Sequence, residues 1–125
     1  MRTVFSCLAL ILITASFAAG QNASATAVVC KEIVNNACEG ADTTFQNGVG
    51  KLWGFSQIVN VPDKIVHVWF FKDRELGRIP MTAPNAPRWK TWSNVTVARN
   101  MIGSWRLEVR DGAGKVLASF PFRIE

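Results

Sequence analysis

One histidine, three cysteines and five tryptophans carry whatever chemistry this 125-residue chain could perform. His67 is the one imidazole. A catalytic base of that kind needs a nucleophile and an orienting carboxylate, or else a metal held by two further ligands. Ser93, Asp63 and Asp73 are the candidate partners, and they form no recognisable motif with it. The chain has no G-x-S-x-G, no H-E-x-x-H and no glycine-rich phosphate loop opening a helix. Within IVHVWFF, alternation sets Ile65, His67, Trp69 and Phe71 on one face and Val66, Val68 and Phe70 on the other. Both faces are largely apolar. The residue therefore reads first as a core histidine with satisfied ring nitrogens, and the alternative is a small hydrolase or metal-dependent enzyme centred on it.

The tryptophans, Trp53, Trp69, Trp89, Trp92 and Trp105, form an unusual aromatic set because the chain has no tyrosine. Exposed indoles stack on sugar rings or cations, and interfaces favour Trp and Arg. Buried ones build a sandwich core, since an indole hides much area and its N–H can find a carbonyl. Trp69 and Trp105 are assigned to the core. In RWKTWS, alternation sets Arg88, Lys90 and Trp92 against Trp89, Thr91 and Ser93, so one of two indoles shares a face with the cations. The candidate binding residues are thus His67, Arg88, Trp89, Lys90, Trp92 and Ser93. No catalytic residue, metal site or cofactor is assigned, and the chain is not expected to be an enzyme.

The N-terminus sets the conditions under which these groups work. Residues 4–19 are apolar and uncharged after a single Arg2, which is the n-region and h-region of a secretory signal. The run falls short of the roughly 20 residues a membrane-crossing helix needs. Small residues at Ala18, Ala19 and Gly20 place the cut after Gly20, with Ala25 second, so the mature chain is expected to be periplasmic or secreted without a transmembrane segment. Cleavage removes Cys7. The remaining pair, in a compartment that permits disulfides, predicts a Cys30–Cys38 bridge. Cleavage also takes one cation, lowering the charge from +5 to +4. So modest and scattered an excess argues against nucleic acid, which would want a dense basic stripe.

The elements that must position these groups are short and β-like. After a flexible leader at residues 21–27, one domain spans residues 28–125, near the most common domain size. Residues 28–34 form a first strand, and residues 35–50 read as loop. Apolar or alternating runs follow at 52–61, 65–71, 78–81, 89–97, 105–110 and 116–124. None has a helical period. Asp111-Gly112-Ala113-Gly114 predicts a hairpin, with Trp105, Leu107 and Val109 on the core side and Arg106, Glu108 and Arg110 on the other. Three prolines between residues 80 and 87 mark an edge or a crossing between sheets. The fold class is all-β, an immunoglobulin-like antiparallel β-sandwich of about seven strands following a cleaved N-terminal signal peptide.

The series His67-Val68-Trp69, Arg88 through Ser93, Gly103 through Val109, Asp111 through Leu117 and Phe122-Arg123-Ile124 resembles the bacterial domain of unknown function 2914. The likeness runs from about residue 28 to residue 124, with Lys90 where that family commonly has arginine and with Gly54-Phe55 as a second departure. The family's pattern falls on His67, Trp69, Arg88, Trp89, Trp92, Ser93 and Trp105. The resemblance implies an exported or membrane-tethered bacterial domain with no established activity, so no catalytic role is carried over. The expectation is a non-catalytic binding or interaction module of the bacterial envelope, whose partner is a glycan, a cell-wall component or an envelope protein. The alternatives are a structural accessory domain that pairs with a partner chain, and the His67-centred enzyme. Oligomeric state is not legible in the chain.

Overall fold

Period-two alternation builds the long strands, because each has one face to bury and one to leave wet. The computed structural model describes residues 22–125, which contain strands and no helix. No helix among the described residues is long and apolar enough to cross a membrane. The signal-peptide expectation for residues 1–20, with Cys7, lies outside the described residues. In chain order the strands are β1 (Ser24–Ala25), β2 (Val28–Cys30), β3 (Glu32–Val34), β4 (Ala37–Glu39), β5 (Thr44–Phe45), β6 (Gly50–Val59), β7 (Lys64–Phe71), β8 (Arg74–Thr82), β9 (Arg88–Val97), β10 (Gly103–Asp111) and β11 (Val116–Ile124).

They form an all-β sandwich. In the short sheet β6 is central, with β9 along one side and β1 and β2 along the other. The second sheet runs β5-β11-β10-β7-β8, antiparallel except for the parallel β5 and β11 pair. A separate hairpin, β3 and β4, is tied to β2 by the Cys30–Cys38 disulfide, whose Cα atoms are 5.7 Å apart.

The predicted hairpin joins β10 and β11, and Asp111 Oδ1 accepts from the backbone N–H groups of Ala113 and Lys115 at 3.0 and 2.9 Å. A tighter turn joins β7 to β8 through Lys72 and Asp73, both with positive φ (49° and 65°). Pro80 lies on β8, an edge strand that among the described residues pairs only with β7, where a missing N–H costs least. Residues 83–87 then cross to the short sheet.

Two apolar clusters fill the space between the sheets. The larger holds Val29, Phe45, Leu52, Trp69, Val97, Trp105, Leu107, Phe122 and Ile124. The smaller holds Ile58, Val61, Ile65 and Val109. Gly54 lets the sheets close over the larger one: a Cβ there would stand 2.5 Å from Leu107 Cδ2 and 2.8 Å from Trp69 Cζ2.

Outside the five-stranded sheet, Arg106 and Arg110 clasp Glu108, and the Arg106 guanidinium lies 3.8 Å over the Phe70 ring. Burial works to raise the Glu108 carboxyl. Hydrogen bonds from both guanidiniums outweigh it and hold the carboxyl below the usual carboxylate range.

Two stretches differ from expectation. Where a flexible leader is expected at residues 21–27, β1 pairs with β6, and Ala23, Ala25 and Ala27 pack against the core. Where a loop is expected at residues 35–50, β4 and β5 form. These strands of two or three residues are too short to carry a periodic signal of their own. Docking on β6, β3 and β11 creates them.

Candidate functional site

The six candidate residues divide by the direction of their side chains. Odd positions on β9 point between the sheets and even ones point outward, so Trp89 and Ser93 turn inward while Arg88, Lys90 and Trp92 turn outward. His67 on β7 also points inward.

The inward group is a polar layer between the two apolar clusters. His67 Nε2 lies 2.7 Å from Ser56 Oγ on β6, and Nδ1 lies 2.7 Å from Ser93 Oγ on β9. Trp69 Nε1 donates to the same Ser93 oxygen at 3.1 Å. One ring nitrogen donates and the other accepts, as a neutral imidazole requires. His67 and Ser56 are wholly buried and Ser93 is 6% exposed. Burial pushes the His67 pKa down to about 4, so the ring is neutral at physiological pH.

As a candidate base, His67 therefore has its serine in reach but no path to solvent. No carboxylate touches the ring: Asp73 is engaged by Arg106 at 2.6 Å, and Asp63 stands in the turn before β7. The cleft lined by Lys64, Val66, Arg78, Pro80, Arg110 and Asp111, about 280 Å³, opens on the opposite side of β7. Among the described residues, no group of three His, Cys, Asp or Glu is placed to hold a metal ion. What the triad of Ser56, His67 and Ser93 does is tie the sheets together. Ser56 escapes a search for motifs, yet it had a signal. It is the one hydroxyl on the inward face of β6, among Leu52, Gly54 and Ile58, and needs a buried partner.

Trp89 packs beside the smaller cluster, and its Nε1 is buried without a hydrogen-bond partner among the described residues. Trp92 does the opposite. It lies half-buried on the outer face of the short sheet, where antiparallel pairing sets it opposite Phe55 with the rings nearly parallel, 6.0 Å between centroids and 9° between planes.

The same register assembles a face that no single strand displays. Down it run the pairs Val59 and Arg88, Gln57 and Lys90, Phe55 and Trp92, Trp53 and Asn94, then Lys51 and Thr96. Lys51 Nζ stands 5.7 Å from the Trp53 ring centroid. Trp53 and Lys51 are thus site residues missed in the sequence, and Phe55, 6% exposed, backs Trp92. Their alternation along β6 was a usable signal, but only the pairing with β9 brings them to Trp92.

Residues 62–124 match the family model described as Protein of unknown function (DUF2914). The chain belongs to this family. The DUF2914 match takes in β7 through β11, including His67, Trp69, Trp92 and Ser93, and is narrower than the expected likeness from about residue 28. Ser56, Trp53 and Phe55 lie before it. In this DUF2914 member, both the polar layer and the aromatic face are therefore completed by a strand outside the matched region. No curated protein matches the chain.

Proposed function

We propose that the chain is an exported, non-catalytic binding module of the bacterial envelope that takes a glycan on the outer face of its short sheet. The observation that carries this reading is the pair of half-buried indoles, Trp53 and Trp92, on that face, with Gln57 and Asn94 beside them and Phe55, only 6% exposed, stacked on Trp92. Sugar rings have apolar faces that lie on indoles, while their hydroxyls need amide or cationic partners at the rim. Trp53 and Trp92 are diagonal neighbours across the strand pair, roughly 7–8 Å apart. The eight steps from Lys51 to Val59 span about 27 Å, the dimension of an extended oligomer rather than of one small molecule.

Two features support the rest of the reading. A disulfide within a small domain fits an oxidising compartment outside the cytoplasm. The one histidine, sealed between the sheets, favours a role without catalysis.

A second reading, an accessory domain that pairs with a partner chain, draws on β9. This ten-residue strand has β6 on one side and, among the described residues, no strand on the other.

Affinity electrophoresis of the wild type, Trp53→Ala and Trp92→Ala through gels of soluble polysaccharides separates the readings. The glycan reading expects retardation of the wild type and a loss of at least about tenfold in affinity for each variant. Unretarded wild type that sediments as a dimer, unaffected by either substitution, supports strand pairing instead.

A further inference from the structure

We propose that the ligand of this face is an acidic polysaccharide, an extended chain of sugars bearing carboxylate or phosphate groups; this rests on the glycan reading above. The warrant is the set of cations on the short sheet, whose strands contain no acid to pair with them. All four ion pairs of the described residues, Arg78 with Glu75, Arg106 with Asp73 and with Glu108, and Arg110 with Glu108, lie on the five-stranded sheet and its β7–β8 turn. There Arg78, Arg106 and Arg110 have their counter-ions built in, while Arg74 and Arg123 make no ion pair among the described residues.

The short sheet is different. Strands β1, β2, β6 and β9 contain Lys51, Arg88 and Lys90 and no aspartate or glutamate. None of the three cations makes an ion pair among the described residues. Of the acids nearest in sequence, Glu32 faces Glu39 in the hairpin beyond Cys30, Asp63 lies in the turn between β6 and β7, and Asp42 precedes β5 with its backbone N–H on Val29.

The three cations are also placed with respect to the rings. Lys51 stands at one end of the aromatic row, over Trp53, while Lys90 and Arg88 stand at the other, one and two pairs beyond Trp92. A polymer laid along β6 and β9 stacks sugars on Trp53 and Trp92 and brings acidic groups to both ends. A neutral glycan would cover the same rings and leave three cations without counter-charge.

Other anionic partners fit less well. Three cations spaced along about 27 Å, with rings between them, do not make the dense stripe that follows a nucleic-acid backbone. A membrane surface needs protruding apolar side chains. The exposed large ones, Val34, Leu76, Ile102 and Val116, all lie off this face.

The test uses the exported protein with its disulfide intact, and titration calorimetry against three polymers. These are polygalacturonate, its fully methyl-esterified form with the same backbone and no charge, and a phosphodiester-linked wall teichoic acid. The expected result is binding of polygalacturonate or teichoic acid roughly tenfold tighter than of the ester at low salt. Which of the two binds identifies the anion as carboxylate or phosphate. The triple variant Lys51→Ala, Arg88→Ala, Lys90→Ala should fall to the affinity of the ester with an unchanged melting curve, and Trp92→Ala should weaken every interaction.

Equal affinity for polygalacturonate and its ester overturns the acidic inference and leaves the glycan reading standing. No binding to any of the three overturns both. Salt-sensitive binding that survives Trp92→Ala is ion exchange by a cationic surface and overturns the stacked geometry.

Discussion

His67 Nδ1 and Ser93 Oγ stand 2.7 Å apart across the two sheets, and Trp69 Nε1 donates to the same hydroxyl. A histidine and a serine at this distance are the beginning of a nucleophile and its base. Here they sit in the core, with Ser56 where an orienting acid would be. Their work is cohesion: a fully satisfied polar layer that holds β7 against β6 and β9.

Ser93→Ala leaves the imidazole Nδ1 and the Trp69 N–H without that partner in a buried site. Each orphaned group costs about 1–3 kcal/mol, so a loss of about 2–6 kcal/mol in urea unfolding is expected. A loss below about 0.5 kcal/mol, the level of an ordinary surface substitution, would remove the structural role.

The layer also makes stability depend on pH. Folded His67 takes up a proton only near pH 4, whereas the unfolded chain does so near 6.5. Between those values the unfolded state binds more protons, so stability is complete above about pH 6.5 and falls as the pH drops toward 4, by about 3 kcal/mol. Because His67 is the only histidine, urea midpoints from pH 7.5 to 5.5 report it, while below that the carboxyl of Glu108, also held under its ordinary range, adds to the slope. In His67→Gln the slope over that window should flatten, and identical slopes in the two proteins would contradict the assignment.

Gly54→Ala inserts a methyl group where Leu107 and Trp69 leave no room. The sheets must separate or Trp69 must leave its rotamer, at a cost of about 1–3 kcal/mol. Thermal unfolding should show it as a drop of several degrees, with the Trp69 fluorescence environment altered. An unchanged melting temperature would mean that the sheets part more easily than their packing implies.

Reduction of Cys30–Cys38 frees the β3–β4 hairpin from β2. Closing so short a loop contributes about 2.5 kcal/mol in the chain-entropy account. The urea midpoint should fall on adding reductant and in Cys30→Ser, Cys38→Ser alike. Reductant should have no effect on the double variant.

Much of this was legible along the chain. Glycines after Asp111 marked the β10–β11 hairpin, prolines from residue 80 marked an edge and a crossing, and alternation put Trp69 and Trp105 in the core. Cysteine parity led to the disulfide. The leader at residues 21–27 misled because small residues look like linker until their neighbours are known. Ala23, Ala25 and Ala27 fit against Ile58 and its cluster because they are small.

The residues alone established the strand class, the alternation of each strand and the inventory of rings and charges, since these follow from local backbone geometry. Local periodicity divides a strand into two faces without saying which one meets the other sheet, and it contains no information about register. Pairing between β6 and β9 settled both: it turned Ser93 toward His67 and Trp92 toward solvent, and it set Trp92 opposite Phe55. A slip of one residue in that pairing would have reversed every one of those assignments, because side chains on adjacent strand positions point to opposite sides.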